Sequence, residues 1–121
     1  MRLKHFNLEI GTQLMKSLSD IARLRILNLL LHEGAMTTSD IEFILEFTQT
    51  KASRHITYLK NSGVLLSTKK DQWVLYSIKE EVGDIISQIL AFVEKDHQLK
   101  KDLEVFGTLY SNRELAINHL Q

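Results

Sequence analysis

Apolar residues recur along most of this chain at intervals of three and four, the spacing of one helix face. Leu3, Phe6, Ile10, Leu14 and Leu18 predict a first helix over residues 3–18. Ser19 or Asp20 offers an N-cap to a second, from Ile21 to about His32, with Leu24, Ile26, Leu27, Leu30 and Leu31 inside and Glu33-Gly34 closing it. Thr37-Thr-Ser-Asp40 fits a capping box, a hydroxyl followed three residues later by a carboxylate. A third helix follows, with Ile41, Ile44 and Leu45 inward, and stops near Phe47. Thr48 can cap a fourth and Gly63 can end it. From Val64 to Ile78 the period changes. Two short runs rich in β-branched and aromatic residues flank Lys69-Lys-Asp-Gln72, a hairpin signal. The helical period returns at Glu80, where Val82, Ile85, Ile86, Ile89, Phe92 and Val93 form a wide stripe that Leu99, Leu103 and Phe106 continue. One long helix is expected from Glu80 to about Tyr110, with Gly107 as a kink or an end. Ser111-Asn-Arg-Glu114 fits a second capping box, for a short terminal helix through Leu120.

The fourth helix has two unlike faces. Ala52, Ile56 and Leu59 make a narrow apolar stripe, while Gln49, Thr50, Ser53, Arg54 and Thr57 lie opposite. Short hydrogen-bonding groups with a guanidinium are the chemistry that reads base edges and phosphates. A tight corner between the third and fourth helices is helix-turn-helix geometry, and the lysine-bearing hairpin behind it is a wing. The fold expected is mainly α with a small β-hairpin: a winged helix-turn-helix with an extra helix at each end.

Composition narrows the class. At 121 residues and 44% hydrophobic, the chain fits one domain spanning 1–121 with a modest core. Zero cysteine excludes disulfides, thiolate metal sites and thiol redox switching. The apolar runs are too short to cross a membrane, and Met1 to Asn7 lack the continuous apolar stretch of a secretion signal, so a cytoplasmic location is expected. Formal net charge is zero, but unevenly spread. Thr48 to Gln72 holds five basic residues against the single acid Asp71, whereas from Lys79 onward eight acids face five bases. A local basic patch in a neutral domain binds phosphate backbone with moderate, salt-dependent affinity. No Gly-rich phosphate loop, cysteine nucleophile or paired carboxylate with a nearby base is present, so neither an enzyme nor a cofactor is expected.

Two segments resemble the ArsR/SmtB family of small bacterial winged-helix repressors. Leu18-Ser-Asp-Ile-Ala-Arg-Leu-Arg-Ile-Leu27 is similar to its second-helix signature, an acidic cap followed by an Arg-Leu-x-Ile-Leu run. Thr48 to Leu65 is similar to its recognition helix, through Ser53-Arg-His-Ile56, Leu59 and Gly63-Val-Leu65, and Lys69 to Ile78 resembles its wing. The resemblance spans roughly residues 14–95 and implies a helix-turn-helix over 37–62, a wing over 64–78 and dimerisation helices at 3–18 and 80–121. The implied DNA-contacting residues are Thr48, Gln49, Thr50, Ser53, Arg54, His55, Thr57, Lys60, Lys69, Lys70 and Gln72. Gln49 and Thr50 sit where a recognition helix enters the groove deepest. Arg54 fits a phosphate or guanine contact, or a surface pair with Asp40 or Glu42. His55 fits a phosphate contact or a packing role. Trp73 and Tyr76 fit packing of the wing better than base stacking.

The chain also departs from the family. Proline is common where Ile21 stands, glycine near Glu46, and Gly-Arg at the wing tip, here Asp71-Gln72. The wing thereby lacks an arginine, and Lys69 and Lys70 stand in as looser phosphate contacts. The family's metal site near the third helix uses cysteines, which are absent. Its other site pairs an Asp and a His two residues on with a His and a His or Glu three residues apart from the partner subunit. Here Asp84 is followed by Ile86, and His97 by Lys100, so two of four ligands remain and metal sensing is not expected. The resemblance implies a homodimer, with Leu3, Phe6, Ile10, Leu14, Ile85, Ile86, Ile89, Phe92 and Val93 at its interface. It would repress transcription from an imperfect palindrome of double-stranded DNA, and its effector is unknown. The competing readings are a winged-helix module for protein–protein contact and a constitutive architectural DNA binder.

Overall fold

Residues 6–120 are described in the computed structural model, so Leu3 lies outside the described residues. The order is α1 (Leu8–Ser17), α2 (Ile21–Glu33), α3 (Thr38–Leu45), α4 (Gln49–Asn61), β1 (Leu65–Lys70), β2 (Trp73–Ile78), α5 (Glu80–Ala91), α6 (His97–Ser111) and a 3-10 helix, Ala116–His119. This is the expected winged helix-turn-helix. Most starts are set by a side chain. Asn7, Asp20, Thr37, Thr48 and Asp96 each accept a hydrogen bond from an amide in the first turn they precede.

Helix α2 is the hub. Ile26, Leu27 and Leu29 are fully buried, and α3, α4, β2, α5 and α6 all pack on it. At its end Gly34 takes φ 88°, a region glycine enters without a Cβ penalty. The hairpin pairs Leu65 with Ile78 through Lys70 with Trp73, leaving a tight turn at Asp71-Gln72. Met36 exchanges backbone hydrogen bonds with Tyr76 (3.1 and 2.8 Å), which ties the wing to the loop before α3. Tyr76 packs on the core, as expected, and Trp73 is half-buried.

Three sequence expectations are corrected. The long helix expected from Glu80 to about Tyr110 is two helices. Val93 and Asp96 close tight turns on Leu90 and Val93, and the Asp96 carboxylate then accepts from the amides of Gln98 (2.8 Å) and Leu99 (3.2 Å). An Asp that satisfies two free amides starts a new helix more readily than it continues an old one. Ser111 is the last residue of α6 rather than a cap, and the terminal helix shrinks to one 3-10 turn. The box at Thr37 is half made. The Asp40 amide donates to Thr37 Oγ1 (3.1 Å), but the Asp40 carboxylate turns instead to the amides of Ala116 (2.6 Å) and Ile117 (3.1 Å). Residues 96–120 thereby fold back along α2 and α3.

The underside of α4 is held by Arg23 of α2. Its guanidinium donates to the carbonyls of Ser17 (2.8 Å) and Lys16 (3.0 Å), lies 4.1 Å over the Tyr58 ring, and stands 3.4 Å from His55 Nδ1. Arginine has only donors, so that nitrogen faces it unprotonated. Burial holds the His55 pKa below its ordinary 6.5, and Arg54, Arg23 and Lys51 push the same way against the opposing pull of Asp20.

Two outcomes are expected. Asp40→Ala leaves two part-buried amides without an acceptor and lowers unfolding free energy by about 1–2 kcal/mol. Urea denaturation checks this, with Glu104→Ala on the exposed side of α6 as a control. For His55, the folded pKa lies below the unfolded one, so its contribution is fully present above pH 6.5 and falls as pH drops below that value. His55→Gln flattens the stability–pH curve in that acidic window, measured by urea titration at stepped pH.

Candidate nucleic-acid interface

The exposed side of α4 follows from how its other side is used. Ala52, His55, Ile56 and Leu59 are buried against the domain, which turns Gln49, Thr50, Ser53, Arg54, Thr57 and Lys60 to solvent. The corner before it is tight. Leu45 ends α3, Glu46 is left-handed at φ 58°, and Thr48 caps α4 by accepting from the Lys51 amide at 3.1 Å. The family's usual glycine falls near the residue that adopts this conformation, one that costs a β-carbon-bearing side chain about 1 kcal/mol. With no acid in the first turn of α4, the positive end of its dipole is left uncompensated beside Lys51 and Arg54.

Arg54 is not tied to Asp40 or Glu42. Asp40 is buried and engaged with Ala116 and Ile117. His55 is 4% exposed and packs beside Arg23, so its sequence assignment to the DNA-contacting set gives way to the packing role. Thr48 is exposed, with its hydroxyl occupied by the cap. On the wing, Lys69, Lys70 and Gln72 are exposed, and Lys70 Nζ donates to the Leu120 carbonyl at 3.2 Å. Lysines 69 and 70 stand within β1 rather than in the turn, so they point to opposite sides of the hairpin.

The dimer set divides. Leu14 and Ile86 are buried within the protomer, Phe6, Ile85 and Ile89 are partly buried, and Ile10, Phe92 and Val93 are exposed. Phe92 is 89% exposed, and Leu8 and Met15 on α1, outside the expected set, are exposed as well. Their placement off the apolar face of α1 hid them from a stripe-based reading. Asp84 lies on α5 and His97 opens α6, so the break separates the two residues that one continuous helix would have carried. Among the described residues, no three His, Asp or Glu side chains gather as a metal site, and no helix is long and apolar enough to cross a membrane.

Sequence reasoning missed the contact of Arg23, on α2, with Tyr58, on α4, which supports α4 from beneath. The signal was present in the second-helix signature, but nothing in the linear order joins residue 23 to residue 58.

A convex helix with short polar groups and one guanidinium outward is dimensioned for a DNA major groove. Comparison with known proteins agrees. Residues 20–66 match the family described as "Bacterial regulatory protein, arsR family". The chain is 39% identical over 78 residues to the arsenical resistance operon repressor of Escherichia coli, covering 64% of this chain and 67% of that one. It is 34% identical over 83 residues to the arsenic resistance transcriptional regulator ArsR1 of Pseudomonas putida, covering 69% of this chain and 65% of the relative, just under two thirds of its length. The structure of HlyU from Vibrio cholerae superposes with a TM-score of 0.65 at 26% identity, covering 73% of this chain and 96% of that one. The chain belongs to the arsR family of bacterial regulatory proteins.

Proposed function

We propose that this protein is a sequence-specific DNA-binding transcriptional repressor that works as a homodimer. The observation that carries the reading is the exposed face of α4: Gln49, Thr50, Ser53, Arg54 and Thr57 project together from a helix whose other face is fixed in the core. Gln49 and Thr50 read base edges, Arg54 contacts a guanine or a phosphate, and Ser53, Thr57, Lys60 and Lys69 hold phosphates. Lys70 and Gln72 contribute from the wing.

Exposed apolar side chains support the dimer. Leu8, Ile10, Met15, Phe92 and Val93 are all left uncovered by the protomer. A two-fold partner covering them sets two α4 helices in successive major grooves, about 34 Å apart, on an imperfect palindrome. Two relatives are named for arsenic resistance. This sequence contains no cysteine, so a thiophilic ion finds no thiolate here.

Three outcomes are expected. A duplex from upstream of the protein's own gene is bound with affinity that falls steeply between 50 and 200 mM salt. Arg54→Ala weakens that binding by about 1–3 kcal/mol without changing the unfolding midpoint. Salt-insensitive binding, or full binding by Arg54→Ala, overturns the DNA reading. Light scattering at micromolar concentration gives a dimer mass for the native chain and a monomer mass for Phe92→Glu. A native monomer overturns the dimer.

A further inference from the structure

Arg25 projects from α2 and reaches three other parts of the chain. Its Nε and Nη2 donate to the two carboxylate oxygens of Asp102, on α6, at 2.9 Å each. Nη2 donates also to the carbonyl of Leu45, the last residue of α3, at 3.2 Å. The guanidinium lies 5.0 Å from the centre of the Phe47 ring, one residue before the Thr48 cap of α4. The pair is withdrawn from water, with side chains 18% and 4% exposed, and Gln98 donates to Asp102 Oδ1 at 2.8 Å.

The Leu45 carbonyl is among the last four of its helix, which have no partner within the helix itself. A guanidinium is a rigid planar fork, so once Asp102 holds one edge of it, its plane is set. That plane is what meets Leu45 and Phe47, the residues on either side of left-handed Glu46. Asp102 orients Arg25, and Arg25 fixes the corner through which α3 becomes α4.

We propose that Arg25 and Asp102 are positioning residues for DNA reading: they set the angle of α4 at the α3–α4 corner, so that α6 governs sequence discrimination without touching DNA. The proposal rests on the reading of α4 as the DNA-contacting helix. Phosphate attraction depends on exposed charge, whereas base discrimination depends on where α4 lies in the groove. Loss of the pair therefore lowers preference for the correct sequence and leaves non-specific binding in place.

The test compares the full chain with Asp102→Asn and with the double variant Arg25→Met/Asp102→Leu. Replacing both charges by apolar groups commonly preserves stability. Affinities for the upstream duplex and for a scrambled duplex of equal length are measured beside the unfolding midpoint and amide hydrogen exchange. The double variant is expected to keep its midpoint and its affinity for the scrambled duplex. The upstream-to-scrambled ratio falls roughly tenfold, the scale of one lost base-pair discrimination, and the amides of residues 46–52 exchange faster while those of the hairpin do not. Should the double variant not fold, Asp102→Asn carries the same readouts. A folded variant with a native ratio and native exchange at the corner overturns the proposal. So does exchange that rises equally in corner and hairpin, since the pair is then only stabilising. If the native chain shows no preference for the upstream duplex, the DNA reading is what fails. Selective exchange at residues 46–52 then still supports control of the corner, and uniform exchange refutes it.

Discussion

The burial of α2 on nearly every side is the constraint on which the other elements depend. A helix that is apolar around most of its circumference must be enclosed, and Ile26, Leu27 and Leu29 are enclosed by helices on several sides and by the second strand of the wing. Two of its polar residues, Arg23 and Arg25, are placed where neighbouring backbone needs donors. Arg23 satisfies the end of α1 and supports α4. Arg25 satisfies the end of α3 and binds α6. The hydrophobic contacts hold these elements together, and the two guanidinium groups tie the ends of α1 and α3 to α2.

The fold-back of residues 96–120 extends that logic. The matched family domain spans residues 20–66, so it ends within β1, before α5 and α6 begin. In this protein α6 and the 3-10 turn attach to the reading module at two buried polar points, Arg25–Asp102 and Asp40 with the amides of Ala116 and Ile117. A carboxylate with two amide donors is geometrically demanding, so these contacts specify one seating of the segment where apolar packing alone would permit several. Lys70 meets the Leu120 carbonyl at the same end, which brings the wing into the same assembly.

How much was legible beforehand differs by element. Helix α4 was readable because its amphipathic period, its cap at Thr48 and its basic surroundings agreed with one another. The wing was readable because the period changed from helical to β at Val64. The long C-terminal helix was misread because the apolar stripe from Val82 to Phe106 runs through the break at nearly helical phase, and only the capping chemistry of Asp96 marked the interruption. His55 was ambiguous because a position beside a stripe can turn either way, and the choice depended on Arg23, thirty-two residues earlier. Asp40 fitted a capping box locally, and its true partners lie seventy-six and seventy-seven residues away.

Local periodicity, capping and composition are enough to set the first four helices, the hairpin, the face of α4 that turns to solvent, and the absence of any thiolate. The tertiary structure alone decided where the polar groups of the core find partners. Those partners are backbone amides and carbonyls brought together by folding, and they carry no mark in the linear order of side chains. That is why the reading helix could be located from the sequence, while the residues that hold it at its angle could not.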